Sequence, residues 1–239
     1  MSVYAKSFIQ FGLQRAMARA QARVARAHRG KASVPFACYN KGYSEEAEVD
    51  GSRVTFQGTG NSSACSELAL ALMHLDVECL LEPCSLMGVH MAPMQTYKTF
   101  YGLANYFYIA NGLHLVGWSE AKKLSPAEIK EATEAFCGKE LEEAKASSPA
   151  PWKYKKRHCF GGHFMYHVLK NYGFKEGERK VVFARKLDGK SADWTLGAAL
   201  YETQYMPVVL SSRPTPCECN GTGPASDAVG AWAAGAGPR

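Results

Sequence analysis

Apolar positions in this chain come in short helical or strand-like runs broken by Gly, Pro and Ser, so the pattern predicts many small elements rather than a few long ones. Val3 to Ile9 reads as a strand. A helix follows in which Arg15, Arg19, Arg23 and Arg26 recur three or four apart and so share one side, the other positions being mostly Ala with Leu13, Met17 and Val24. Residues 30–62, rich in Gly, Ser, Asn and Pro, predict a loop-dominated insert with Val54-Thr55-Phe56 as its strand. A helix is predicted from about Ser63, with Leu68, Leu70, Leu72 and Met73 supplying apolar surface. Cys79 to Pro93 then forms a tight, Pro-bearing excursion. Phe100 to Val116 turns aromatic and small, and aromatics at helical spacing usually belong to a core.

The sharpest local signal is Ser125-Pro126-Ala127-Glu128, an N-cap Ser, a first-turn Pro and a reciprocal Glu that together start a helix. That helix is predicted to turn Ile129, Ala132, Ala135 and Phe136 inward and to stop at Cys137-Gly138. Cys159 opens another helix through His163, Phe164, Tyr166, Val168 and Leu169, ending at a left-handed Gly173. Val181-Val182-Phe183 is a short strand, and Asp193 caps a helix running from Trp194 to about Tyr205. Asp50-Gly51 and Asp188-Gly189 read as hairpin turns. Beyond Leu210 the chain becomes Ser, Pro, Gly, Ala and Cys, which predicts a disordered tail over 211–239.

The 239 residues, 46% of them apolar, suffice for one large domain or two small ones. No run approaches the roughly 20 apolar residues that cross a bilayer, and no signal-peptide pattern follows Met1, so the chain as written is expected to be neither anchored nor exported. The net charge of +6 is unevenly placed. Residues 1–44 carry eight Lys or Arg and no acid, which leaves 20 basic against 22 acidic side chains in the remainder. A basic helix of this kind fits an organelle-targeting segment, a nucleic-acid arm, a membrane-surface helix or simply a solvated face, and the last is the reading we expect, with no nucleic-acid partner.

Eight cysteines change the picture more: Cys38, Cys65, Cys79, Cys84, Cys137, Cys159, Cys217 and Cys219. No Cys-x2-Cys pair occurs, which excludes the common zinc signatures and leaves redox or structural disulfide roles, with connectivity open. Disulfides persist in oxidising compartments. That conflicts with the missing export signal unless the recorded chain lacks its true N-terminus. Sequons at Asn61-Ser62-Ser63 and Asn220-Gly221-Thr222 agree with export. His74, His90, His114, His158, His163 and His167 have no spaced carboxylate or thiol partner that would mark a nucleophilic site.

Taken in order, Gly58-Thr59-Gly60-Asn61 leading to Cys65, then Cys79 and Cys84, the aromatic run to Tyr108, and Asp193-Trp194-Thr195-Leu196-Gly197 resemble the C-terminal half of an apyrase, the family that removes phosphates from nucleoside tri- and diphosphates. The resemblance runs from about Val3 to Pro207. It implies an α/β, ribonuclease-H-like lobe of the actin and sugar-kinase type, a mixed sheet flanked by helices, here lacking its first hairpin. That lobe would span 1–210 with a Cys-bearing insert over 30–95. The resemblance also implies disulfides Cys38–Cys65, Cys79–Cys84 and Cys137–Cys159, a nucleotide base held between Tyr108 and Tyr154, Trp194 beside a metal-bound water, and Asn61 as a glycosylation site.

Cutting a phosphoanhydride needs donors around the transferred phosphoryl, a divalent metal and a carboxylate that positions water. Apyrases are expected to take these from Asp-x-Gly hairpins and a Glu, with Ca2+ or Mg2+. The Asp-Gly turns of this chain do not match them, so no catalytic residue and no metal ligand is assigned here. The expectation is therefore an apyrase-like hydrolase when complete, acting on nucleoside tri- and diphosphates in the secretory lumen or outside the cell, with an N-terminal lobe and any membrane segment supplied elsewhere. The chain alone is expected to be inactive. A non-catalytic nucleotide-binding or interaction module is the alternative.

Overall fold

A computed structural model describes residues 8–93, 99–147 and 150–191. All of these fall in Met1–Trp194, the first of two units into which the chain divides; the second is Thr195–Arg239. The predicted strand over 3–9 lies outside the described residues apart from Phe8 and Ile9, which are not in a strand. The predicted helix from Trp194 and the tail over 211–239 lie outside them entirely.

Helix α1 (Leu13–Ala27) buries Ala16, Met17 and Ala20, the small and apolar stripe left between its arginines. Arg15, Arg23 and Arg26 are exposed, and Arg26 meets the Asp50 carboxylate at 2.7 and 2.8 Å. Arg19 departs from the solvated reading. Its guanidinium donates to the Leu72 carbonyl at 3.2 Å, lies 2.8 Å from His74 Nε2 and sits 5.0 Å from the Phe11 ring centre, and burial lowers its pKa. That one cation of the row is a structural pin.

The insert is a correction. Where one strand in a loop was expected, the chain forms β1 (Ser33–Phe36), β2 (Ser44–Val49) and β3 (Ser52–Gly58). Central β3 runs parallel to β1 and antiparallel to β2. Val34, Phe36, Val54 and Phe56 are buried at a spacing of two along their strands. β2, reading Ser-Glu-Glu-Ala-Glu-Val, alternates between exposed and half-buried positions, so hydropathy alone does not reveal it. Asp50 and Gly51 turn β2 into β3 with φ of 50° and 77°, the two left-handed residues that a tight hairpin turn requires.

Helix α2 (Ser62–Ala71) starts one residue before the predicted position, capped by Asn61 Oδ1, which accepts from the Ala64 amide at 3.0 Å. Cys65 and Ala69 face inward, and Leu72 and Met73 are buried just beyond. Leu70, expected inside, is 43% exposed because it lies off that face. The excursion with Cys79 and Cys84 follows, then β4 (Phe100–Gly102) and α3 (Asn105–Gly112), which buries Phe107, Ile109 and Ala110.

After β5 (Ala121–Leu124), helix α4 (Pro126–Cys137) opens on the predicted capping box, with Ser125 Oγ accepting from the Glu128 amide and Glu128 Oε2 accepting from the Ser125 amide. Ile129, Thr133 and Phe136 form its inner face, and Ala135, expected there, is exposed. At 3.6 residues per turn 129, 133 and 136 share a side that 135 cannot. Short helices α5 (Leu141–Ala146) and α6 (Trp152–Lys155) lead to α7 (His158–Asn171), whose residues 158–165 are all buried. α7 packs against α1, α2, α3 and α4. Gly173 ends the segment at φ 91°, as its sequence position predicts.

β6 (Val181–Ala184) is the centre of a second sheet, parallel to β4 and antiparallel to β5. β7 (Lys186–Leu187) and β8 (Lys190–Ser191) form a ribbon across the Asp188-Gly189 turn. The architecture is α/β, with mixed sheets flanked by helices. Three disulfides join the pairs the resemblance implies: Cys38–Cys65 ties the turn after β1 to α2, Cys79–Cys84 closes the excursion, and Cys137–Cys159 ties the end of α4 to the start of α7. Cys217 and Cys219 lie outside the described residues.

Candidate functional site

A cavity of about 660 Å³ opens where α3, the Trp118 turn, α6 and the first turn of α7 meet. It falls within the size range of small-molecule sites. Tyr108, on the outer face of α3, and Tyr154, on α6, both line it. The two residues lie 46 positions apart on separate helices, so only the tertiary fold brings them to one place. Both rings are about half exposed, at 48% and 54%. Tyr108 touches the buried Phe107 ring on one side, and aromatic surface left open around a concavity suits a planar ligand.

The fold adds three residues that the sequence reading did not single out. Trp118 stands beside Tyr108 with ring centres 6.1 Å apart and a 35° tilt, and is itself 55% exposed. It also meets buried Phe107, ring centres 6.0 Å apart, and Arg185, whose guanidinium lies 4.9 Å from the indole centre and donates to the Trp118 carbonyl at 3.4 Å. Trp118 could have been noticed as a lone large aromatic in a polar Gly-Trp-Ser-Glu turn. Arg157 and His158 carry no sequence signal. They face the cavity because α6 ends and α7 begins there.

His158 is 5% exposed, and its Nδ1 has no hydrogen-bond partner among the described residues. Burial, with lesser help from Lys155 and His114, lowers its pKa to about 4, so the ring is neutral at ordinary pH. It lies hard against Gly112, where an added Cβ would fall 2.0 Å from His158 Cε1. A glycine is therefore required at 112 for the cavity floor to close.

The wall bearing Tyr154 is braced from the insert. Lys156 Nζ bonds Glu45 Oε1, and Tyr39 donates its phenol to Glu45 Oε2 at 2.5 Å. Burial alone would raise the Glu45 carboxyl, but the hydrogen bonds from Lys156 and Tyr39 prevail and hold it below the usual range. Trp152 packs edge-on to Tyr43 at 5.1 Å, and the Cys137–Cys159 bond fixes the residue after His158. β2, α6 and α4 thus converge on one turn.

A second polar cluster lies elsewhere on α7. Ser62 Oγ is 2.8 Å from His163 Nε2, and Ser66 Oγ is 2.9 Å from His167 Nε2. Burial, then His167 and Lys130, lowers the His163 pKa to about 4, and burial also lowers that of His167. His163 lies near the sulfurs of Cys137 and Cys159, which makes this the one group of metal-ligand types among the described residues. Those sulfurs are bonded to each other, so neither is a thiolate donor, and the group offers no oxygen. It does not fit Ca2+ or Mg2+, which take oxygen ligands. Asn61 is exposed beside this seam with its Oδ1 committed to the helix cap. Trp194 lies outside the described residues.

A family model described as GDA1/CD39 (nucleoside phosphatase) family matches residues 1–218. Among curated proteins, ectonucleoside triphosphate diphosphohydrolase 8 of Bos taurus is 28% identical over 98% of this chain and 47% of its own length. Ectonucleoside triphosphate diphosphohydrolase 1 of Mus musculus is 25% identical over 89% of this chain and 44% of its own length, and the corresponding protein 3 of Mus musculus is 25% identical over 86% and 42%. The chain spans about half the length of the curated relatives it matches.

Proposed function

Because the chain belongs to the GDA1/CD39 (nucleoside phosphatase) family, we propose that it is the base-holding half of a hydrolase that converts nucleoside tri- and diphosphates to monophosphate and phosphate. The observation that carries this reading is the convergence of Tyr108 and Tyr154 on one 660 Å³ cavity. Stacking on a phenol or indole face tolerates any base and contributes about 1–3 kcal/mol per base. Such a cavity anchors the nucleoside end and leaves the polyphosphate to extend away.

The groups that would act on phosphate belong to the portion of the relatives that this chain does not match. Among the described residues the two Asp-Gly pairs are hairpin turns, and no cluster suits a hard divalent cation. Ca2+ or Mg2+ would thus be held mainly by residues other than those described, with Trp194 near its bound water, and we route no step through it. In this reading residues 1–210 form a ribonuclease-H-like lobe whose first hairpin comes from the complementary half. The three disulfides and exposed Asn61 suit an oxidising, glycosylating compartment.

The test is phosphate release from ATP, ADP, GDP and UDP with Ca2+ or Mg2+, measured on the chain alone and on the chain co-expressed with the N-terminal half of a relative. No release from the chain alone and release from the pair is the expected result. Turnover of ordinary size by the chain alone would overturn the claim that essential groups lie elsewhere. The same cavity also supports a second reading, a nucleotide-binding module without catalysis. Base binding that persists while every reconstituted pair stays inactive would favour it.

A further inference from the structure

The cavity walls select more narrowly than stacking does. Among its described lining residues Arg157 is the one cation, and there is no carboxylate. Arg157 is half-buried and makes no ion pair or side-chain hydrogen bond among the described residues; its charge acts on the Tyr39 phenol, and no hydrogen bond commits its N–H donors. The neighbouring lining residue Asn111 is held by its amide nitrogen. Its Nδ2 donates one N–H to the Val116 carbonyl at 2.8 Å, which orients the amide and leaves Oδ1 as an acceptor beside the second N–H. The cavity therefore offers a permanent donor and a spare acceptor between exposed aromatic faces.

We infer that Arg157 is a specificity-determining residue that favours nucleosides whose base carries a carbonyl beside a ring N–H, namely guanine, hypoxanthine and uracil, over the amino bases adenine and cytosine. The inference rests on the reading of this cavity as a base site. A guanidinium donates to O6 and N7 of an oxopurine or to O4 of uracil, while Asn111 Oδ1 suits the adjacent ring N–H. Adenine presents an amino donor where the carbonyl would be, so a donor from Arg157 meets a donor and one hydrogen bond is lost. A charge-assisted hydrogen bond in a partly open cavity corresponds to about a five- to tenfold preference.

Nucleosides provide the test because they need no phosphate-holding groups. Inosine and adenosine differ at C6, and uridine and cytidine at C4, so the four bracket the contrast. Their affinities would be measured on the full chain by ligand-observed NMR, for the unaltered protein and for Arg157→Ala, Arg157→Lys and Tyr108→Ala, with thermal unfolding as the fold control. The expected result is inosine and uridine binding about five- to tenfold tighter than adenosine and cytidine. Arg157→Ala should bring inosine down to the level of adenosine, with adenosine changed less than twofold, and Arg157→Lys should keep part of the preference. Equal affinity for inosine and adenosine, or an equal loss of both in Arg157→Ala, would overturn the role of Arg157 while leaving the base site standing. Failure of every nucleoside to bind, or binding indifferent to Tyr108→Ala, would instead remove the base-site reading, and this inference with it.

Discussion

Helix α7 meets two polar regions that place the same side chain in different surroundings. Along the α2 seam, His163 and His167 each meet a serine through Nε2 at 2.8–2.9 Å, while His163 Nδ1 has no partner among the described residues. At its first turn His158 is about as deeply buried and its Nδ1 is likewise without a partner among the described residues, but the wall beside it opens into a cavity edged by exposed Tyr108, Trp118 and Tyr154. Serine–histidine pairs enclosed between two helices specify packing. The aromatics at the cavity keep about half their surface open although Tyr108 and Trp118 also touch buried Phe107, and that open surface is what packing does not explain. The comparison separates scaffold from site without appeal to any motif.

Breaking the covalent link between the regions should have the largest effect. Replacing Cys137 and Cys159 by Ser is expected to lower unfolding free energy by about 2–4 kcal/mol in urea, and to weaken nucleoside binding as well, since Cys159 adjoins His158. A variant as stable as the original would show that packing alone holds this wall.

Tyr108→Ala and Tyr154→Ala should each weaken nucleoside binding by about 1–3 kcal/mol while leaving the thermal midpoint nearly unchanged, because both rings are half exposed. A large drop in stability without loss of binding would reverse the assignment of site and scaffold.

pH sharpens the contrast in a different way. His158 and His163 have folded pKa values lowered to about 4 from an ordinary 6.5, so the unfolded chain binds more protons between those limits. Their contribution is complete above about pH 6.5 and is lost as pH falls towards 4, at about 1.4 kcal/mol per pH unit for each histidine. His163→Gln should flatten the slope of urea-derived stability against pH over that window, and an unchanged slope would count against a neutral buried His163.

The smallest effect is expected from Ser62→Ala. It removes one hydrogen bond at the half-buried edge of the seam and should cost about 1 kcal/mol, with nucleoside affinity unaltered. Loss of affinity on that change would couple the two regions.

Several elements were legible in the chain because local chemistry specifies them. The Ser125 to Glu128 box, the Asp50-Gly51 and Asp188-Gly189 turns and the Gly173 stop all appear where the residues demand, since capping and left-handed φ are decided within a few positions. The three-stranded insert was not legible. β2 is largely polar and is held by pairing to β3 and by the Glu45 network with Tyr39 and Lys156, partners 6 and 111 residues away. Leu70 and Ala135 were misplaced for a related reason. A helix's apolar residues do not say which face its neighbours will cover, and here Ala69 and Thr133 took the inner positions.

The order of cysteines, glycines and aromatics along the chain was enough to place it among nucleoside phosphatases, and it was that resemblance that pointed to Tyr108 and Tyr154. The sequence could not say that Trp118, Arg157 and His158 share a cavity with them, nor that Arg19 is a pin among solvated arginines. Those outcomes depend on the packing of α7 against four other helices and on the bracing of α6 from a distant sheet. Burial, and the freedom of a charge to meet a ligand, are properties of surroundings assembled from remote parts of the chain.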